Sequence, residues 1–325
     1  MKSYIKHQLQ FIKPAKTSKI DYLDKHIVLI SAAFEDQVIQ GECAPLVHLS
    51  KEKIEECIAI LNEMDRFPKN KKETTELTAS FPSSLKFAFE GMQLERELHG
   101  KPLHKEPIKI NGLIWMNGFD LMWDELVKKV EAGFDCIKVK IGQHDFDAEC
   151  RFLEKVRKHY AKKIELRLDA NGAFHLDDAI HKLKDLSRFG IHSIEQPIQP
   201  GQWDAMEMVC KESEIAIGLD EELIDIKADQ QAKLMRKIKP QFIILKPTLH
   251  GGFAHCDQWI HHAQRNNTEW WATSSLESNI GLYHIALWLS KYKLSLPQGL
   301  GTGSLFKENF DRPFYYEKDQ FCWKN

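Results

Sequence analysis

CIKVKIGQHDFDAECRFLEKVRKHYAKKIELRLDANG, residues 136–172, is the stretch whose reading decides the fold. Two short apolar runs, Cys136–Ile141 and Ile164–Leu168, flank a segment, Phe146–His159, whose apolar residues recur at helical spacing. A strand, a helix and a second strand of this kind form one right-handed parallel unit. Each run ends on charge: Lys138 and Lys140 in the first, Asp169 just past the second.

Working outward, the rhythm repeats. Apolar runs occur at Ile108–Leu113, Ile191–Ile194, Ala216–Leu219, Gln241–Leu245 and Trp270–Thr273, with a weaker one near Leu296–Leu300. Helical patterns at Leu121–Ala132, Leu176–Phe189 and Ile280–Tyr292 lie between them. Near-continuous apolar strands alternating with helices mean a parallel sheet covered on both faces. Eight such repeats in about 200 residues predict a TIM-like (β/α) barrel of the α/β class over residues 106–305.

Residues 1–105 read differently, as β-β-β-α-α. Tyr4–Phe11, His26–Phe34 and Gln37–Cys43 suit an antiparallel sheet, with Glu35-Asp36 at a hairpin turn. Ser50 suits the cap of a helix running to about Met64, and a Lys/Glu-rich linker follows it. Pro82-Ser83-Ser84 introduces a second helix toward Leu98. This α+β unit is expected to cap the barrel, with residues 306–325 packing back on it.

Composition narrows the function class. A net charge of −2 gives no electrostatic reason for a nucleic-acid or membrane partner. No apolar run approaches the length of a membrane span, and the N-terminus carries no secretory h-region. Seven cysteines without paired spacing predict free thiols in the cytoplasm. The expected partner is a small-molecule substrate, and the sequence fixes no oligomeric state.

The charged residues at the strand ends carry the chemistry. Lys138 and Lys140 (IKVKIG), Asp169 (LRLDANG), Glu195 (SIEQP), Asp220 (IGLDEEL) and Lys246 (FIILKP) all fall there. A barrel gathers strand C-termini on one face, so the six converge in one mouth. Any one acid alone also suits a solvated loop or helix cap. Three at the same level of successive strands repel one another unless a cation lies among them. An all-oxygen set suits Mg²⁺, with Mn²⁺ as substitute. Lys138 and Lys140, two apart, point to the same side, and Lys246 stands across the barrel. Near a divalent cation a lysine's neutral form is favoured, so opposed lysines suit proton transfer at a carbon acid.

Lys-x-Lys, Asp-Ala-Asn, Glu-Gln-Pro, Asp-Glu and Lys-Pro in this order resemble the enolase superfamily, in its muconate-lactonizing subgroup. Gly41–Leu46 resembles the turn that closes that family's capping-domain sheet, and Ile110–Met116, His192–Ile198, Ser274–Asn279 and Pro297–Gly303 further resemble the o-succinylbenzoate synthase family of menaquinone biosynthesis. The superfamily is an established example of a lysine base working with Mg²⁺. The resemblance implies that Lys140 removes the proton alpha to a carboxylate and then protonates the departing hydroxide. It also implies that Asp169, Glu195 and Asp220 bind the metal that stabilises the enediolate. Lys246 would face the other side of the ring, Lys138 would support Lys140, and Asn171 and Glu221 would orient ligands and lysine. Thr273, Ser274, Ser275, Gly299 and Gly301 would lie against the substrate. The alternative is an N-acylamino acid racemase or dipeptide epimerase using the same two lysines. Dipeptide epimerases of the family carry acids at the end of strand eight, where this chain has Gly299-Leu300-Gly301-Thr302-Gly303. One departure is Lys16-Thr17-Ser18-Lys19, where a Thr-Ser-Arg-Gly-like stretch is expected. His261-His262 is expected on an outer helix and Trp270-Trp271 in packing.

Overall fold

The computed structural model describes residues 2–16, 20–34 and 37–324. Residues 17–19 and the expected turn at Glu35-Asp36 therefore lie outside the description. The chain opens with an antiparallel sheet of β1 (Lys2–Lys16), β2 (Asp21–Phe34) and β3 (Gln37–Cys43), with β2 central. Both faces of β2 are covered along Ile27–Ile30. Val28 and Ile30 pack with Leu85, Ala88 and Met92 on the helical side, whereas Ile27 and Leu29 join Leu249, Leu276 and Ile280 of the barrel unit. Alternation along one strand thus supplies the cap's own core and its contact with the rest of the chain.

Three helices follow, α1 (Ile54–Glu63), α2 (Lys71–Thr78) and α3 (Ser83–Glu97). The expected start of α1 at Ser50 is corrected: the helix begins at Ile54. The Ser50 hydroxyl is taken by the Leu46 N–H at 2.9 Å, and the Lys53 N–H is satisfied by Glu56 at 3.2 Å. The Lys/Glu-rich linker contains α2, capped where Asn70 Oδ1 accepts the Glu73 N–H at 2.9 Å.

The second unit begins with β4 (Ile108–Lys109) and β5 (Gly112–Ile114), then α4 (Phe119–Glu131), β6 (Cys136–Lys140) and α5 (Phe146–Tyr160). Next come β7 (Glu165–Asp169), α6 (Leu176–Ser187), β8 (Ser193–Glu195), α7 (Trp203–Glu212) and β9 (Ala216–Leu219). The series ends with α8 (Ala228–Ile238), β10 (Phe242–Leu245), α9 (Gly252–Arg265), β11 (Glu269–Ala272) and α10 (Asn279–Leu289). Strands β5 to β11 form one parallel sheet in sequence order. The eighth run, expected at 296–300, contributes only bridges, from Gln298 to Ile110 and from Gly299 to Thr273. Those bridges close the ring: the Asn111 N–H donates to Gln298 O at 2.9 Å and the Gly299 N–H to Ala272 O at 2.7 Å. The fold is thus the α/β barrel with a separate antiparallel cap.

The C-terminal segment divides. The Phe306 ring lies 4.6 Å from Phe11 of the cap sheet. The hairpin β12 (Phe314–Glu317) and β13 (Gln320–Trp323) instead pairs with β4, which differs from the expected return to the cap. Phe314 and Phe321 bury there with the barrel's core, and the hairpin covers the otherwise unpaired edge of β4. All seven cysteines are free and buried. No helix of the described residues is long and apolar enough to cross a membrane.

Candidate active site

Register sets the site. Lys140 pairs with Asp169 across β6 and β7, and Asp169 with Glu195 across β7 and β8, so the three tips stand level. Asp220 follows the last residue of β9. One carboxylate oxygen from each of Asp169, Glu195 and Asp220 lies within 4.8 Å of the others, and all three residues are buried. Lys138 reaches Glu195 at 2.8 Å and Asp169 at 3.2 Å. Lys140 reaches Asp169 at 2.8 Å and Asn171 Oδ1 at 2.8 Å, while Lys246 reaches Asp220 at 2.5 Å. Strands β6 and β10 are four staves apart, so Lys140 and Lys246 flank the acids from opposite sides.

The turns beyond the strands hold these groups in place. Asn171 adopts a left-handed φ of 46°, which brings its amide back over the tip: Nδ2 donates to Glu221 Oε1 at 2.8 Å. Gln196, at φ 42°, accepts the N–H groups of Asp220 and Glu222 at 3.2 and 3.1 Å. That amide fixes where Asp220 leaves its strand, a role the Glu-Gln-Pro motif did not reveal from sequence.

Electrostatics inside the ring is set by unlike charges at close range. Burial alone raises Asp169, but the ammonium groups of Lys140, Lys138 and Lys246 outweigh it and hold the carboxyl well below its usual range. Burial pushes Glu195 up to about 7 against Lys138, with Asp169 and Asp220 adding to the rise. Lys138 and Lys246 are raised: burial opposes this, but Glu195 with Asp169, and Asp220 with Glu221, prevail. With only the acids around them these two lysines stay charged, and a cation among the acids would weaken that hold. The residues fit one: Glu195 Oε1 and Asp220 Oδ1 are buried oxygens with no hydrogen-bond partner. Unsatisfied buried carboxylate oxygens facing one point are what a hard divalent cation requires.

A cavity of about 270 Å³ opens above the acids. Lys138, Lys140, Asp169, Asn171, Glu221 and Lys246 line it, as do Thr273, Ser274, Ser275, Gly299 and Gly301. Glu195 and Asp220 are fully buried and do not line it. At Gly299 a Cβ would overlap the Thr273 hydroxyl and come within 2.6 Å of its Cβ, so only glycine lets the eighth stave approach β11. The sequence reading missed the wall: Trp115, whose ring centroid is 5.9 Å from Lys140 Nζ, and Tyr22, Leu46 and Leu49 of the cap. The Tyr22 hydroxyl is anchored on Val47 O at 3.0 Å. His261 lies exposed on α9, and Trp271 packs inside the barrel under the Arg167 guanidinium at 4.2 Å.

Residues 122–312 match the family described as enolase C-terminal domain-like. The chain is 47% identical over 203 residues to an o-succinylbenzoate synthase of Desulfotalea psychrophila, covering 62% of this chain and 55% of that protein. It is 29% identical over 162 residues to a hydrophobic dipeptide epimerase of Enterococcus faecalis, covering 50% of this chain and 43% of that one. The chain thus spans about half the length of these two relatives. The crystal structure of MenC from Desulfotalea psychrophila superposes with a TM-score of 0.83 at 32% identity, covering 99% of both chains. With its barrel matched to that family and its acids and lysines at the strand tips, the chain belongs to the enolase superfamily.

Proposed function

We propose that the protein dehydrates 2-succinyl-6-hydroxy-2,4-cyclohexadiene-1-carboxylate to o-succinylbenzoate, a step of menaquinone biosynthesis in the cytoplasm, with Mg²⁺ or Mn²⁺ as cofactor. The observation that carries this reading is the placement of Lys140 and Lys246 on opposite staves of one small cavity above the acidic triad. The similarity to a synthase of this name supports it. A divalent cation held by Asp169, Glu195 and Asp220 would stabilise the charge that develops on the substrate carboxylate.

Lys140, neutral at the start, takes the proton from the carbon bearing the carboxylate. The C–H electron pair moves into the ring, the C–O bond on the same face breaks, and the protonated Lys140 returns its proton to the departing hydroxide as water. Asn171 fixes the position of that amine, and Lys138 supports it from the far side of Asp169. Lys246 stays charged and faces the other side of the ring, where a cation favours the aromatic product. Glu221 holds Asn171. Thr273, Ser274 and Ser275 offer hydroxyls and N–H groups to the succinyl carboxylate, and Gly299 and Gly301 let the backbone come close.

A purified sample with Mg²⁺ is incubated with the cyclohexadiene carboxylate and, separately, with N-succinyl amino acids in deuterated water. Efficient aromatisation in the first tube is expected. Rapid deuterium exchange in the second without aromatisation in the first would replace this reading with racemisation. The residues at the eighth stave argue against an epimerase, since 299–303 contains no acid to receive a substrate ammonium.

A further inference from the structure

Among the described residues, one buried lysine lies outside the barrel. Lys25, on cap strand β2, is 4% exposed, and its Nζ lies 2.5 Å from the carbonyl oxygen of Ser275. The Ser275 N–H is held from the other end by Glu277 Oε2 at 2.6 Å, and the second Glu277 oxygen accepts from the Thr248 hydroxyl. Between them the backbone bends sharply, with Leu276 at φ 62°. A left-handed leucine is strained and persists only where its surroundings dictate it. The Ser275 hydroxyl is buried with no hydrogen-bond partner, yet both Ser275 and Leu276 line the cavity.

The two ends of a trans peptide point in opposite directions. Fixing the Ser275 carbonyl on the cap side therefore turns the Leu276 N–H away from the cap lysine. We propose that Lys25 is a positioning residue for the anion-binding end of the cavity: its grip on Ser275 O presents the Leu276 N–H and the Ser275 hydroxyl to the substrate's side-chain carboxylate. This rests on the reading above in taking residues 273–276 to meet that carboxylate. Lys25 does not touch the reacting carbon, so its effect falls on binding rather than on the chemical step.

The test compares o-succinylbenzoate with 2-butyrylbenzoate, which lacks the side-chain carboxylate, by calorimetry on the Mg²⁺-loaded protein. In Lys25→Met, affinity for o-succinylbenzoate is expected to fall about tenfold or more, the loss of about one charge-assisted hydrogen bond. Affinity for 2-butyrylbenzoate is expected to stay within about twofold, and the diene's KM to rise more than kcat falls. If Lys25→Met fails to fold because Glu277 is left buried without its counter-charge, Lys25→Met/Glu277→Gln removes both charges and carries the same comparison. Equal weakening of the two ligands, or of neither, overturns the role of Lys25 and leaves the dehydratase reading standing. A wild-type protein that neither turns over the diene nor binds its product overturns the dehydratase reading itself.

Discussion

Lys140 and Asp169 stand directly opposite each other on neighbouring strands and share a hydrogen bond of 2.8 Å. The proposed base and a proposed metal ligand are therefore one hydrogen-bonded unit. Lys140→Ala should lower kcat by about 10²–10⁴-fold, the usual share of a general base. Its circular dichroism should match wild type, because the residue sits at the cavity and not in the core. Substantial turnover in a folded Lys140→Ala would remove the residue from the mechanism.

Asp220 bonds to Lys246 and keeps its second oxygen unpartnered. Replacing it with alanine should weaken Mg²⁺ binding by at least about 100-fold, since a ligand is lost and an ammonium is left unpaired beside the site. Titration calorimetry reads this directly. Unchanged affinity would mean that the cation is held elsewhere.

Two glycines of the eighth stave should respond differently to alanine. At Gly299 the new methyl collides with Thr273, whereas at Gly301 the nearest atom is Asn111 O at 3.6 Å. Gly299→Ala is expected to cost about 1–3 kcal/mol of stability and to disturb the cavity wall. Gly301→Ala should be close to neutral. Chemical denaturation of both variants decides it, and equal costs would contradict the packing described.

Acid should weaken the fold through two buried imidazoles. Burial holds His284 below its ordinary value despite the 2.9 Å bond to Glu95, whose charge is met by Arg312 at 2.5 Å. Burial also holds His250 low, helped by Lys246 and His255, and its Nδ1 accepts the Lys246 N–H at 3.1 Å. Below about pH 6.5 the unfolded chain protonates both rings and the folded chain does not. Stability is therefore full above that pH and falls with acidity, by up to about 1.4 kcal/mol per pH unit for each ring. Urea midpoints in chelator are compared between pH 7.5 and 5.5 for wild type and His284→Gln: Glu195, up to about 7, takes up its proton on folding in both, so the wild type should lose more stability than the variant by the share of the ring. Parallel profiles would show that the His284 ring charges freely in the folded state.

The barrel was legible because its strands are short, apolar and tipped with charge, and the triad because three acids end successive runs. What sequence hid has physical causes. The α2 segment, Lys71–Thr78, has few apolar residues to mark a period and is set by its Asn70 cap. The eighth stave makes too few backbone bonds to need a β-like run. The start of α1 moved because Ser50 closes a turn instead. Tyr22 reaches the cavity from the far end of the chain, and Lys25 meets its lining residue Ser275 across 250 positions; no local pattern reports such a meeting.

Glu42 ends the cap sheet, and its two oxygens accept Ser278 N–H at 2.9 Å, the Ser278 hydroxyl at 2.5 Å and Gly281 N–H at 2.9 Å. A carboxylate from the first fifty residues thus terminates a helix that begins near residue 279, where free N–H groups favour negative charge. The halves are not interchangeable parts. Grafting a foreign front end onto this barrel would strip α10 of its anion unless the donor brought a glutamate to the same spot, so any chimera must inherit the two positions as a matched pair.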